Sequence, residues 1–106
     1  MSDFAQNLSL QCSIEKRILL AKESDATLTE DLEAARASVK LLVPLCQKSN
    51  KTDVLFKGYA MVAQLEIAIL EQDWETCKSI LQDPAFEDDV PPDCLKRASG
   101  MAFLCS

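Results

Sequence analysis

The sequence predicts an all-α protein, built from antiparallel helical hairpins that stack as a bundle of about five helices. Three observations predict this class. Apolar residues recur at helical spacing along most of the chain. The 106 residues include only two glycines and four prolines, which disfavours a turn-rich β protein. With 48% hydrophobic and 26% charged residues the composition is that of an ordinary globular protein, so we expect one domain over residues 1–106.

The most apolar stretch, residues 53–72, predicts a helix at the centre of the bundle. At about 3.6 residues per turn its large apolar side chains point in nearly every direction. Lys57, Gln64 and Glu66 are the strongly polar positions inside it. Roughly 20 residues at 1.5 Å each would span about 30 Å, the thickness of a bilayer core. The charges inside the stretch favour a buried core helix over a membrane span.

Two patterns compete in the N-terminal segment, where we predict a helix over residues 4–23. Apolar and polar residues alternate over residues 8–14, which is the strand period. Residues 15–22 are strong helix formers, however, and the chain offers no second strand as a partner. Asp3 followed by Gln6 can act as a capping box at the start of this helix.

A second helix is predicted after Thr27, which forms a capping-box pattern with Glu30. Pro44 lacks an N–H donor, so we expect a bend or an end of regular helix near Leu42 or Val43. A narrow apolar stripe along this helix is predicted to pack on a neighbour; it consists of Leu32, Ala35, Val39, Leu42 and Cys46.

Capping residues also mark the remaining helices. Asn50 or Thr52 can cap the central helix, and Asp73 can cap a short fourth helix that the very short link makes antiparallel to it. Trp74, directly after this turn, is predicted to anchor the hairpin in the core. Asp93 is predicted to cap a fifth helix.

Between the fourth and fifth helices, residues 84–93 are acidic and rich in proline. We interpret them as a solvated connector with Phe86 on the core, because the alternation and glycine of a calcium loop are missing. The chain is still apolar where the sequence stops at Ser106. We therefore expect a piece of a longer helical-repeat protein, or an end that docks on a partner.

The five cysteines are an odd number, and none of them forms a C-x-x-C pair. We predict buried free thiols rather than a disulfide framework or a zinc site, because the ligand spacings of such sites are missing. Met1 is followed by polar residues rather than by a signal segment, which favours a cytoplasmic or nuclear location.

The composition argues against several functional classes. A net charge of −6, spread along the chain, disfavours nucleic-acid binding. The chain has no histidine, which removes the commonest general base and a frequent metal ligand. It also has no glycine-rich phosphate loop, and nothing marks a residue that would activate a cysteine nucleophile. We therefore predict no enzymatic activity, no cofactor and no metal.

One part of the chain, residues 55–84, resembles a tetratricopeptide hairpin. Small and large apolar residues such as Tyr59, Ala60 and Leu65 precede the run AILEQDWETCKSILQDP. In that run an acidic residue stands before an aromatic one at the turn, and a small residue, a large residue and a proline follow. The resemblance implies a scaffold or adaptor that holds a peptide or helix of another protein in a groove between stacked hairpins.

The resemblance implies that polar positions of the second and central helices face the partner. Without a partner, the same positions would form an ordinary solvated face of the bundle. These candidate residues are Arg36, Lys40, Lys57, Gln64 and Glu66. The alternative function is a structural helical bundle that self-associates, for example as a homodimer, through the apolar stripe of the second helix.

Overall fold

The structure is a computed structural model that describes residues 4–47, 49–84, 86, 90 and 92. It confirms the all-α prediction. No described residue lies in a strand. The helices of the described residues are, in chain order, α1 (Phe4–Glu23), a short 3-10 helix (Asp25–Thr27), α2 (Leu28–Leu45), α3 (Lys51–Leu70) and α4 (Trp74–Gln82). The predicted fifth helix after Asp93 and the predicted cap at Asp3 lie outside the described residues.

Helix α1 spans the predicted residues, and the strand-like alternation has no structural counterpart. The side chains that α1 buries follow steps of four and three, which is the period of one helix face. They are Asn7, Gln11, Ile14, Ile18 and Ala21. Leu8, one of the alternating apolar residues, remains exposed. Helix formers and a neighbouring helix, rather than alternation, decide the structure here.

The start of α2 differs from the prediction, and its end at Leu45 lies two residues beyond Val43. Thr27 makes no side-chain hydrogen bond to the helix, so the predicted capping box is wrong. The start of α2 is instead held by Arg17 of α1, whose guanidinium lies 3.0 Å from the buried carboxylate of Asp31. The helix also continues past Pro44 to Leu45 and closes with a tight turn, in which the Cys46 N–H donates to the Val43 carbonyl.

The apolar stripe of α2 packs inside the chain, as predicted. Leu32, Ala35, Val39 and Leu42 are buried in one core cluster with residues of α1 and α3, and Cys46 packs against its edge. The stripe is therefore already covered by neighbouring helices. Self-association of the chain stays a prediction, and it would need a surface other than this stripe.

Helix α3 is the central helix, because it is the helix that contributes to both hydrophobic clusters of the described residues. The cluster shared with α1 and α2 receives Phe56, Ala60, Ala63 and Ile67 from α3. The cluster shared with α4, Phe86 and Val90 receives Val62, Leu65 and Ala68. The prediction of a helix buried on several sides is confirmed, and so is the placement of Phe86 on the core.

Polar contacts fix the directions of the first three helices. Asn7 of α1 hydrogen-bonds Asp53 at the start of α3, and Lys22 near the end of α1 pairs with Glu66 near the end of α3. Because both contacts run in the same order, α1 and α3 are parallel neighbours. The Gln47 N–H, just after α2, also donates to Asp53, so α2 runs antiparallel to both.

A tight turn joins α3 to α4 and fixes the predicted antiparallel hairpin. Gln72 adopts a left-handed conformation with φ of 59°. The Gln72 N–H donates to the Ile69 carbonyl, and the Asp73 N–H donates to the Ala68 carbonyl, which is a Schellman motif. Asp73 then caps α4 by accepting from the Thr76 N–H, as predicted. Asn50 caps α3 in the same way.

The structure corrects two predictions about single side chains. Trp74, predicted as a core anchor, is 40% exposed, and Cys77 is the fully buried residue of α4. The prediction of buried thiols holds for Cys77 but is wrong for Cys12, which is exposed on α1. Cys46 is half-buried, and none of these three cysteines forms a disulfide with a described residue. Cys94 and Cys105 lie outside the described residues.

Candidate functional site

Three of the five candidate residues line one groove, which runs between α2 and α4 above α3 and is called here the α2–α4 groove. Its volume is about 390 Å³. Arg36, Lys40 and Gln64 lie along it, and Glu71, Asp73 and Thr76 form the other rim. The apolar part of its lining consists of Ile67, Ala68 and Ile80.

The groove follows directly from the helix directions. Arg36 and Lys40 are four residues apart on α2 and therefore lie on one helix face. Thr76 and Ile80 have the same spacing on α4, which the tight turn folds back beside α3. Because α2 and α4 flank α3 without closing over it, a strip of α3 remains accessible between them.

One rim of the groove is held by interactions within the chain. The guanidinium of Arg36 pairs with the carboxylate of Glu71, which joins α2 to the end of α3. Hydrogen bonds from the Thr76 hydroxyl and N–H lower the pKa of Asp73, and the nearby Arg36 guanidinium acts in the same direction. Arg36 is therefore already used to hold the turn at the closed end of the groove.

The other cation of the groove is differently placed. Lys40 is exposed and makes no ion pair or hydrogen bond with any described residue. Gln64 is also exposed, and its amide has no partner among the same residues. An ammonium group and an amide beside an apolar strip are groups that can bind a polypeptide segment, since they offer both polar contacts and apolar surface.

The two remaining candidate residues lie elsewhere. Glu66 is only 7% exposed and does not line the α2–α4 groove. Helix α1 covers it, and its Oε2 lies 3.2 Å from Nζ of Lys22, beside a second depression of about 350 Å³ between α1 and α3. Lys57 is half-buried near Cys46 and lines neither depression. Whether any of the five contacts a partner stays a prediction.

The environment of Cys46 argues against a reactive thiol. Burial raises the pKa of Cys46, and the negative charge of Asp53 raises it further, while Lys57 acts in the opposite direction. A thiol that is held protonated is a poor nucleophile. The thiol also donates a hydrogen bond to the Leu42 carbonyl, at 3.3 Å, as a buried structural cysteine does.

Sequence reasoning missed the α4 wall of the groove. Thr76 and Ile80 were available from their spacing of four residues, but spacing alone does not reveal which face of α4 turns towards α2. It also missed the acidic rim, because Asp73 was explained completely by its capping role.

The described part of the chain contains no group of three or more histidine, cysteine, aspartate or glutamate side chains placed to hold a metal ion. Within the same residues, no helix has both the length and the apolar character that crossing a membrane requires.

Comparison of the chain with known protein families, characterised proteins and solved structures gives no match. The tetratricopeptide resemblance therefore remains a prediction. The function has to be argued from the described residues alone.

Proposed function

We propose that the chain is a non-enzymatic interaction module, an adaptor or scaffold that binds a peptide or helix of another protein in the α2–α4 groove. The observation that supports this is the combination of half-buried Ile80 with exposed Lys40 and Gln64, whose polar groups no described residue uses. We place the module in the cytoplasm or nucleus.

The finer architecture belongs to the same proposal. The hairpins α1–α2 and α3–α4 would stack in the manner of tetratricopeptide repeats. Two features support this: α1 and α3 are parallel neighbours, and α4 folds back on α3 after a very short turn. Stacked hairpins share a continuous core, and α3 contributes to both described clusters.

The chemistry of the groove restricts the partner. Ile80 is the half-buried apolar side chain of the groove lining, whereas Ile67 and Ala68 are each 2% exposed. The groove therefore offers a narrow apolar contact to one aliphatic side chain of the peptide. Lys40 favours a carboxylate beside that side chain, because its ammonium group is exposed and makes no ion pair with a described residue. The expected ligand is therefore a short segment with one apolar anchor followed or preceded by an acidic residue.

The non-enzymatic part of the proposal has its own support. The raised pKa of the Cys46 thiol disfavours nucleophilic catalysis at that residue. The absence of histidine removes the usual partner for a nucleophile. The clustered carboxylates at the turn, Glu71 and Asp73, are each engaged in a structural contact.

Selection of peptides from a random displayed library on the purified chain tests the proposal. We expect an enriched apolar-plus-acidic motif, and Lys40→Glu should weaken the binding of a selected peptide by about tenfold, the effect of roughly 1.4 kcal/mol. Lys51→Glu is the matched control, since Lys51 is an exposed lysine at the far end of α3. Failure to enrich any motif, or equal weakening by both variants, would overturn the proposal.

A further inference from the structure

A second surface, unrelated to the α2–α4 groove, exposes large apolar side chains on α1 and α3. We call it the α1–α3 face. Its exposed fractions run from 37% to 57%. The residues are Phe4, Leu8 and Leu19 of α1 and Leu55 and Tyr59 of α3.

These side chains belong to one continuous surface. Phe4 and Leu8 are one helical turn apart on α1, and Leu55 and Tyr59 are one turn apart on α3. The Phe4 ring packs on Phe56, with ring centroids 5.8 Å apart, which brings the first turns of the two helices together. Further along, Leu19 and Tyr59 line the same depression between α1 and α3.

The exposed area is large enough for the core of a protein interface. An aromatic side chain offers roughly 150–250 Å² when fully covered, and with the smaller leucines taken at about 150 Å² the exposed fractions amount to about 400 Å². That lies within the range of about 300–600 Å² for the largest apolar patch of a typical monomer, which is often functional. It is also about half of the roughly 800 Å² that one partner contributes to a standard interface.

The charges around the face allow a second copy of this chain as the occupant. Each copy carries a net charge of −6, so two copies repel each other through most of their surfaces. The depression in the face is bordered by two bases, Lys16 and Lys22, and by two acids, Glu15 and Glu66. Because these charges balance, two copies can meet here without local repulsion.

We propose that the chain forms a two-fold symmetric homodimer through the α1–α3 face, with α1 packed antiparallel to α1 of the second copy. In a two-fold interface the middle of a surface meets the middle of the same surface. Cys12 is exposed and lies about midway between Phe4 and Leu19 along the outer stripe of α1. The two Cys12 side chains therefore meet near the symmetry axis.

The mass of the purified chain in solution tests the dimer. Light scattering should give about twice the monomer mass of 11.7 kDa at micromolar concentration. Leu19→Glu places a charge in the face and should return the chain to a monomer. Leu41→Glu is the matched control, because Leu41 is 60% exposed against 57% for Leu19 but lies on α2, outside the face.

As a control for folding, the circular dichroism of each variant should show the helix content of the wild type. A wild-type chain that stays monomeric at about 100 μM would overturn the proposal and leave the face to a foreign helix. A dimer that survives Leu19→Glu, or that is lost equally in Leu41→Glu, would overturn it as well. Lys40→Glu should leave the mass unchanged, so the outcome is independent of the peptide-binding proposal.

Oxidative cross-linking tests the antiparallel arrangement. Mild oxidation should produce a disulfide-linked dimer on a non-reducing gel, because opposed cysteine Cα atoms about 5.5–6 Å apart can be bridged. Cys12→Ser should abolish that product while the light-scattering mass stays that of a dimer. A wild-type chain that gives no cross-linked dimer, or a yield of cross-linked dimer that Cys12→Ser does not lower, would overturn the placement of the symmetry axis at Cys12.

Discussion

The carboxylate of Asp53 is a buried acceptor that joins three segments of the chain, and we expect its removal to destabilise the protein strongly. Asp53 is 1% exposed. Its Oδ1 accepts from Nδ2 of Asn7, at 3.1 Å, and its Oδ2 accepts from the N–H of Gln47, at 2.9 Å. It therefore connects the first turns of α1 and α3 with the link that follows α2.

The expected cost of Asp53→Ala follows from these contacts. Each hydrogen bond to a charged acceptor contributes about 1.5–3 kcal/mol, and both donors would be left without this acceptor. The favourable position of Asp53 on the first turn of α3 adds about 0.3–1 kcal/mol. Relief of the cost of burying a charge offsets part of the loss. We expect a net decrease of about 2–4 kcal/mol in the free energy of unfolding.

Urea unfolding followed by circular dichroism at the helix band measures this decrease. A matched control is Asp25→Ala, because Asp25 is exposed and should change the free energy of unfolding by less than about 0.5 kcal/mol. A cost below about 0.5 kcal/mol for Asp53→Ala, equal to that of the control, would refute the reasoning.

A double-mutant cycle with Asn7→Leu sharpens this test. Oδ1 of Asn7 is buried and accepts no hydrogen bond from the described residues, so its amide depends on Asp53 for its one side-chain contact. In the Asn7→Leu background the loss of Asp53 no longer strands an amide donor. We expect the two changes together to cost about 1–2 kcal/mol less than their sum. Strict additivity would show that the contact between Asn7 and Asp53 contributes nothing.

Three further predictions concern the hairpin of α3 and α4. Leu65→Ala should lower the free energy of unfolding by about 2.7–5 kcal/mol in urea titration, because Leu65 is fully buried between the two helices; a loss below 1 kcal/mol would contradict this packing. Gln72→Gly should raise the melting temperature, since glycine relieves about 1 kcal/mol of left-handed strain at the turn; a decrease would contradict that strain. The hydrogen bonds from Thr76 lower the pKa of Asp73 in the folded state, so its stabilisation is present above the unfolded pKa of about 4 and is lost as the pH falls through the folded pKa. The difference in urea stability between the wild type and Asp73→Asn should therefore shrink in acid. A difference that grows in acid would contradict the lowered pKa of Asp73.

Much of the fold could be predicted because it depends on local chemistry. The limits of α1 follow from its helix formers, and Asn50 and Asp73 cap helices because their short side chains reach the N–H groups of the first turn. Thr27 failed as a cap because the 3-10 helix already leads the chain into α2. A capping motif in the sequence does not reveal that a 3-10 helix directly precedes the α-helix.

The candidate site was less predictable, because it depends on which helix covers which face. Glu66 has the polarity of a surface residue, but the sequence does not show that α1 runs parallel to α3 and places Lys22 beside it. Trp74 follows the turn directly, but the sequence does not show that Cys77, rather than Trp74, is the buried residue of α4. The groove at Lys40 and Gln64 could not be predicted without the position of α4, and that position depends on the Schellman turn at Gln72.

Native-state hydrogen exchange tests most directly the central claim that α3 joins both described clusters and thereby positions both surfaces. The slowest amides should lie in α3 between Ala60 and Ala68, and they should exchange only through global unfolding. Faster exchange of these amides than of those in α1 and α2, through a local opening that leaves the first two helices folded, would contradict the claim.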